Sequence, residues 1–173
     1  MKKILFILIA SLGFASFSFS ESVTRLGVNY VDLEVDETDY TYAASIDGYG
    51  ISLDSAVTEN VLLTLDYFRL TEDGESADFN FISAAYAVGG DLSEGAFTIG
   101  FSRGDSDLAD TSDTDVEVGY SKRSGENVDY TFSVIASEET TIRAKIMTPV
   151  GISFGLLTDG DIDLWNLGYE YKF

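Results

Sequence analysis

Apolar and polar residues alternate with a period of two in ten short segments of this chain. That spacing sends successive side chains to opposite faces of a β-strand. Leu26, Val28 and Tyr30 mark the first segment, Tyr49, Ile51 and Leu53 the second, and Val61, Leu63, Leu65 and Tyr67 the third. The fourth, Phe79–Val88, is the least regular: Ile82, Ala84, Tyr86 and Val88 form one face, and either parity can point outward. Phe97, Ile99 and Phe101 give the fifth, and Val116, Val118 and Tyr120 the sixth. Val128, Tyr130, Phe132 and Val134 make the seventh, and Ile142, Ala144 and Ile146 the eighth. Val150, Ile152, Phe154 and Leu156 make the ninth, and Trp165, Leu167, Tyr169, Tyr171 and Phe173 close the series.

The residues between these are of another kind: Arg25, Asn29, Ser52, Asp54, Asp66, Thr98, Glu117, Asp129, Thr131, Arg143, Lys145, Asn166, Glu170 and Lys172. Gly27, Gly50, Gly100, Gly119, Gly151, Gly155 and Gly168 share their face. A narrow closed barrel has this pattern when its crowded interior is polar and its outer wall meets lipid. A soluble sandwich or lipocalin-like barrel reverses the faces. Alternation alone does not separate the two.

The connections do. Asp36–Asp47, Thr71–Ala77, Gly104–Asp115 and the acidic Thr158–Asp163 alternate with Thr58-Glu59-Asn60, Gly89–Glu94, Gly125-Glu126-Asn127 and Thr148-Pro149. Ser137–Thr140 is the one short connection on the long-loop side. Long external loops and tight periplasmic turns are the outer-membrane arrangement, and strands of about 10 residues span its apolar band. The expected fold is an all-β, antiparallel, up-and-down transmembrane barrel of ten strands. Eight is the alternative if a hairpin at Ser137–Thr140 or Met147-Thr148-Pro149 is misread, and Pro149 favours a break there.

The chain ends Leu167-Gly168-Tyr169-Glu170-Tyr171-Lys172-Phe173. Aromatics at every second position before a final Phe resemble the C-terminal signal of outer-membrane β-barrel proteins. Residues 23–173, with strand patterns such as Gly48-Tyr49-Gly50-Ile51-Ser52-Leu53, look like the broad superfamily of small outer-membrane barrels, with no particular subfamily marked. The resemblance implies that Tyr169, Tyr171 and Phe173 form an assembly signal read by the barrel-assembly machinery.

The first residues fit export. Lys2 and Lys3 precede an apolar run from Ile4, and Ser18-Phe19-Ser20 offers small residues for cleavage before Glu21. The run is shorter than the roughly 20 residues of a spanning helix. Residues 1–20 are thus expected to be a cleavable signal peptide and residues 21–173 the barrel.

Composition then limits the chemistry. Removing Lys2 and Lys3 with the signal takes the formal charge from −20 to −22, which excludes nucleic acid as a partner. Acidity of this kind can signal disorder, but the chain is 45% apolar and 13% aromatic, and disordered acidic chains are poor in aromatics. With no Cys there is no disulfide, and with no His the commonest general base and zinc ligand are missing. By resemblance, omptin-type proteases use His with acids, and outer-membrane phospholipases and lipid-A deacylases pair Ser with His. No enzyme activity and no cofactor are expected here; a carboxylate pair is the formal exception.

Asp105, Asp107 and Asp110 approach the spacing of a calcium loop. Leu108 and Ala109 interrupt it, and no terminal Glu follows in register. A solvated acidic tip is the favoured reading. The expected partners are outer-membrane lipid and lipopolysaccharide, with weakly bound divalent cations at the acidic loops. Inside the barrel the expected charges are Arg25, Asp54, Asp66, Glu117, Asp129, Arg143, Lys145, Glu170 and Lys172. Opposite charges in so narrow a space should pair. Closure of the last strand on the first suggests Arg25 with Glu170, and the seventh hairpin suggests Arg143 and Lys145 with Asp129. The functional expectation is a non-enzymatic surface barrel for surface structure, adhesion or weak cation binding. A narrow, low-conductance porin-like channel is the alternative.

Overall fold

The computed structural model describes residues 23–36, 44–72, 75–106, 114–137 and 140–173; the segment expected to be the signal peptide lies outside them. The strands are β1 (Thr24–Val35), β2 (Ala44–Thr58), β3 (Val61–Glu72), β4 (Glu75–Val88), β5 (Ala96–Ser106), β6 (Thr114–Lys122), β7 (Asp129–Ala136), β8 (Thr141–Met147), β9 (Ile152–Thr158) and β10 (Ile162–Lys172). Each pairs antiparallel with the next, and β10 closes on β1. The barrel formed by the described residues therefore has ten strands, not eight. At Met147-Thr148-Pro149 the chain makes a real turn, with Thr148 N donating to Ile152 O at 2.8 Å and Gly151 N to Thr148 O at 3.0 Å; at the other joint β7 and β8 pair as neighbours up to Ile135 opposite Thr141.

Closure runs over eleven register positions, from Arg25 opposite Lys172 to Val35 opposite Ile162. The ladder has no free edge, which removes the template for further strand addition. Glycine lets the wall curve where strands crowd. A Cβ on Gly100 would strike the Ala84 carbonyl and come within 2.6 Å of Ala85 Cα.

Side-chain facing follows the pleat. Phe97 is 70% exposed and the adjacent Thr98 6%, so the aromatic set faces out and the polar set faces in. The ambiguous fourth segment resolves the same way: Ile82, Tyr86 and Val88 are exposed, while Ser83, Ala85 and Ala87 are buried.

The wall is uneven in height. β1 to β4 run to 12, 15, 12 and 14 residues, whereas β7, β8 and β9 have 8, 7 and 7. In the upper part of the tall side the pattern inverts. Tyr30 faces out and Val31 in; beyond them Leu33 is buried while Asp32 and Glu34 point outward. β3 does the same at Tyr67 and Phe68, after which Leu70 is buried and Arg69 and Thr71 are exposed. Val31, Leu33, Phe68, Leu70 and Leu164 form one apolar cluster inside the loop end, with Val35, Ile46, Phe79 and Leu157 packed on it. Above the level of Tyr30 the protein is built like a water-soluble barrel. Below it the sides are exchanged.

A second apolar cluster lies at the turn end: Ala56, Leu62, Ala87, Leu92 and Ala96. Leu92 comes from the β4–β5 turn, with its N donating to Glu59 O at 2.8 Å and its O accepting from Arg123 N at 2.6 Å. One turn thereby bridges two others.

Candidate functional site

Between the two apolar clusters the lumen is lined by charge. Arg25, Asp54, Glu117, Asp129, Arg143, Lys145 and Glu170 are buried on inward positions, as is Arg123 at the start of the β6–β7 turn. Burial of ions at this density is tolerable only where each finds a partner.

The partners lie across the lumen rather than along the wall. Arg25 Nη2 meets Asp129 Oδ2 at 2.9 Å, and Arg25 Nη1 donates to Thr148 O at 3.2 Å. Asp129 Oδ1 also accepts from Ser124 N and Gly125 N, at 2.8 and 3.0 Å. Arg123 grips Asp54 through both carboxylate oxygens, at 2.7 and 3.1 Å, and donates to Thr131 Oγ1 at 2.6 Å. Lys145 Nζ is 2.8 Å from Glu170, with Asp54 and Asp66 near 3.8 and 3.9 Å. Arg143 Nη1 reaches Glu117 at 3.3 Å and its guanidinium lies 4.8 Å from the centre of the Phe81 ring. Ser83 and Ser133 hydroxyls donate to the same Glu117 carboxylate.

The pairings suggested by sequence are therefore corrected. Glu170 stands opposite Gly27, two residues from Arg25 in register, so no side chain beside it on β1 can pair with it. The carboxylate is reached instead from β8. Arg143 and Lys145 have Ser133 and Thr131 as their β7 neighbours, while Asp129 lies opposite Met147. Lys172 shares the inward parity, but it is exposed at the mouth and its Nζ donates to Gly125 O at 3.1 Å. Asp66 has, among the described residues, only the long contact to Lys145.

Arg123 had no place in the alternating pattern because it follows the end of β6. Its signal was the sequence Lys122-Arg123 at the entry to a tight turn. Leu92 was likewise an isolated apolar residue in a polar turn. Inside lies a cavity of about 20 Å³ bordered by Asp66, Phe79, Phe81, Arg143, Lys145 and Asn166. That is space for about one water.

On the outer wall, aromatic side chains gather at both ends of the apolar zone. Tyr30 lies 5.8 Å from Tyr49 and 6.1 Å from Trp165, between ring centres, at the loop-side border. Phe97 and Tyr120 at 5.3 Å, Tyr120 and Tyr130 at 6.0 Å, and Tyr171 and Phe173 at 5.1 Å mark the turn-side border. Tyr169, Tyr171 and Phe173 are exposed on this wall. In the β4–β5 turn, the Ser93 hydroxyl and the Glu94 and Ser93 amides donate to Asp91 and hold its carboxyl below the usual carboxylate range. Of the acid-rich loop, Asp107 and Asp110 lie outside the described residues. No cluster of three or more metal-ligating side chains occurs among the described residues.

No family model and no curated protein matches the chain. Several solved structures are similar to it, three of them as follows. Ail, the attachment invasion locus protein of Yersinia pestis, is 13% identical, with 88% of this chain and 99% of that chain covered, at a TM-score of 0.37. Neisserial surface protein A is 11% identical, with 88% and 96% covered, at 0.36. The outer membrane protein OprG from Pseudomonas aeruginosa is 15% identical, with 88% and 95% covered, at 0.32. At such scores the architecture rests on the closed ladder of β1 to β10 itself.

Proposed function

We propose that this chain is an exported, integral outer-membrane β-barrel without enzymatic activity. It holds acidic loops outside the cell for surface structure or adhesion, and those loops bind divalent cations weakly. The observation that carries the reading is the exchange of sides: exposed apolar side chains face outward on nine of the ten strands, with Val61, Leu63 and Leu65 of β3 half-buried between them, while paired ions fill the middle of the lumen. In water, that outer ring would be a very large exposed apolar surface. In lipid it is the ordinary solution, since every strand is paired and no edge is left.

Residues 1–20 supply the export signal in this reading, and Tyr169, Tyr171 and Phe173 the assembly signal. Lipopolysaccharide would surround the loop end, where divalent cations can bridge its anionic groups to the protein's acids. Absence of His from the whole sequence supports the non-enzymatic assignment.

A second reading, a narrow ion pathway, is favoured by the charged middle of the lumen. The apolar clusters at both ends argue against it, because an ion crossing them would be stripped of water without a partner. Planar-bilayer recording separates the two. The plugged barrel gives no large steady conductance; a porin-sized open state would replace this proposal with the channel.

A further inference from the structure

The outward apolar belt is short, and we infer that the barrel favours, and locally creates, a bilayer thinner than average. This rests on the membrane reading above. On β1 the outward apolar residues are Leu26, Val28 and Tyr30, and the next outward position is Asp32. On β5, Phe97, Ile99 and Phe101 are followed by the exposed Arg103. Four residue steps at about 3.3 Å, tilted by about 40°, rise only about 10 Å. Even the longest runs, Val128 to Ala136 along β7 and Trp165 to Phe173 along β10, rise about 20 Å on the same arithmetic. A usual outer-membrane belt is about 25 Å tall.

On β1, β2 and β10 the border is not crossed by side-chain reach, although on β3 and β5 it is marked by the long-stemmed Arg69 and Arg103. Asp32 stands opposite Asp47 on β2, and aspartate lacks the long stem with which Lys or Arg returns a charge to the headgroups. Asp163 closes the top of β10, directly beyond Trp165, in the same way. A rigid closed ladder does not stretch, so the bilayer takes up the mismatch by thinning. The surface is thus fitted to short or disordered acyl chains.

The test refolds the chain lacking residues 1–20 into fluid vesicles of dilauroyl, dimyristoyl, dioleoyl and dierucoyl phosphatidylcholine. Insertion is scored by heat-modifiable gel mobility, and equilibrium urea midpoints by the fluorescence of Trp165, the one tryptophan. The midpoint is expected to be highest in dilauroyl lipid and to fall with each longer chain. Combining Asp32→Leu with Asp47→Leu raises the belt on two adjacent strands and should move the highest midpoint to a longer lipid. Insertion everywhere, with midpoints indifferent to thickness or highest in dierucoyl lipid, overturns the thin-bilayer inference and leaves the membrane reading standing. Failure to insert into any vesicle removes both.

Discussion

Arg123 and Asp54 are joined across the lumen by two charge-assisted bonds, Nε to Oδ1 at 2.7 Å and Nη2 to Oδ2 at 3.1 Å. The pair ties the β6–β7 turn to the middle of β2, 69 residues away in sequence. Both side chains are 1% exposed, so the geometry has little competition from water.

Breaking that pair should destabilise the barrel unequally. Asp54→Ala strands Arg123 and removes a second contact of Lys145. Arg123→Ala leaves Asp54 within 3.8 Å of Lys145. Losing one partner of a buried pair costs about 3–5 kcal/mol, and Asp54→Ala should lie at the upper end with Arg123→Ala below it. Glu126→Ala, in the exposed part of the same turn, should cost at most about 1 kcal/mol. Urea midpoints in detergent micelles give the order; equal effects from Asp54 and Glu126 would refute it.

The β4–β5 turn should loosen in acid. Asp91 has its carboxyl held below the ordinary value by the Ser93 hydroxyl first and the Glu94 and Ser93 amides next. Because the folded value is the lower one, the stabilisation is complete above the ordinary value, near 3.9, and is lost as pH falls through the folded value. Amide hydrogen exchange of Ser93 and Glu94 should accelerate below about pH 4, relative to the intrinsic rate. Asp91→Asn should flatten that dependence, and an unchanged profile would show that the carboxylate does not hold the turn.

Two turns at opposite ends report the orientation. Gly160, in the β9–β10 turn, is exposed at the loop end with φ +106°, and Glu126 is exposed in the β6–β7 turn at the end that holds Val23 and Phe173. A short tag beside Gly160 should be reached by antibody on intact cells, and one beside Glu126 only after permeabilisation. Exposed turn tips tolerate such insertions. The reverse result would invert the barrel.

Much of the fold could be read from residue order because a two-residue period fixes which face each side chain takes. Ten strands and their closure followed from segments such as Phe97–Phe101. The pairing inside did not follow. Partners such as Arg25 and Asp129 lie 104 residues apart and meet only once the ladder closes, which the spacing along one hairpin does not reveal. The apolar cluster at the loop end was missed for a different reason. Tyr30-Val31 and Tyr67-Phe68 place apolar residues on both faces, marking the level at which the faces exchange roles. A single parity assumed for a whole strand hides that level. Strand limits moved with it: β4 begins at Glu75 rather than Phe79, and β5 runs on to Ser106.

The most direct test of an inside-out barrel in the outer membrane joins location and closure in one sample. Cells expressing the full chain are fractionated, and the outer-membrane fraction is run on a denaturing gel with and without boiling. The chain should be in that fraction and should migrate faster unboiled, because a closed ladder resists detergent until heated. Recovery in a soluble fraction, or one mobility before and after boiling, would contradict the account.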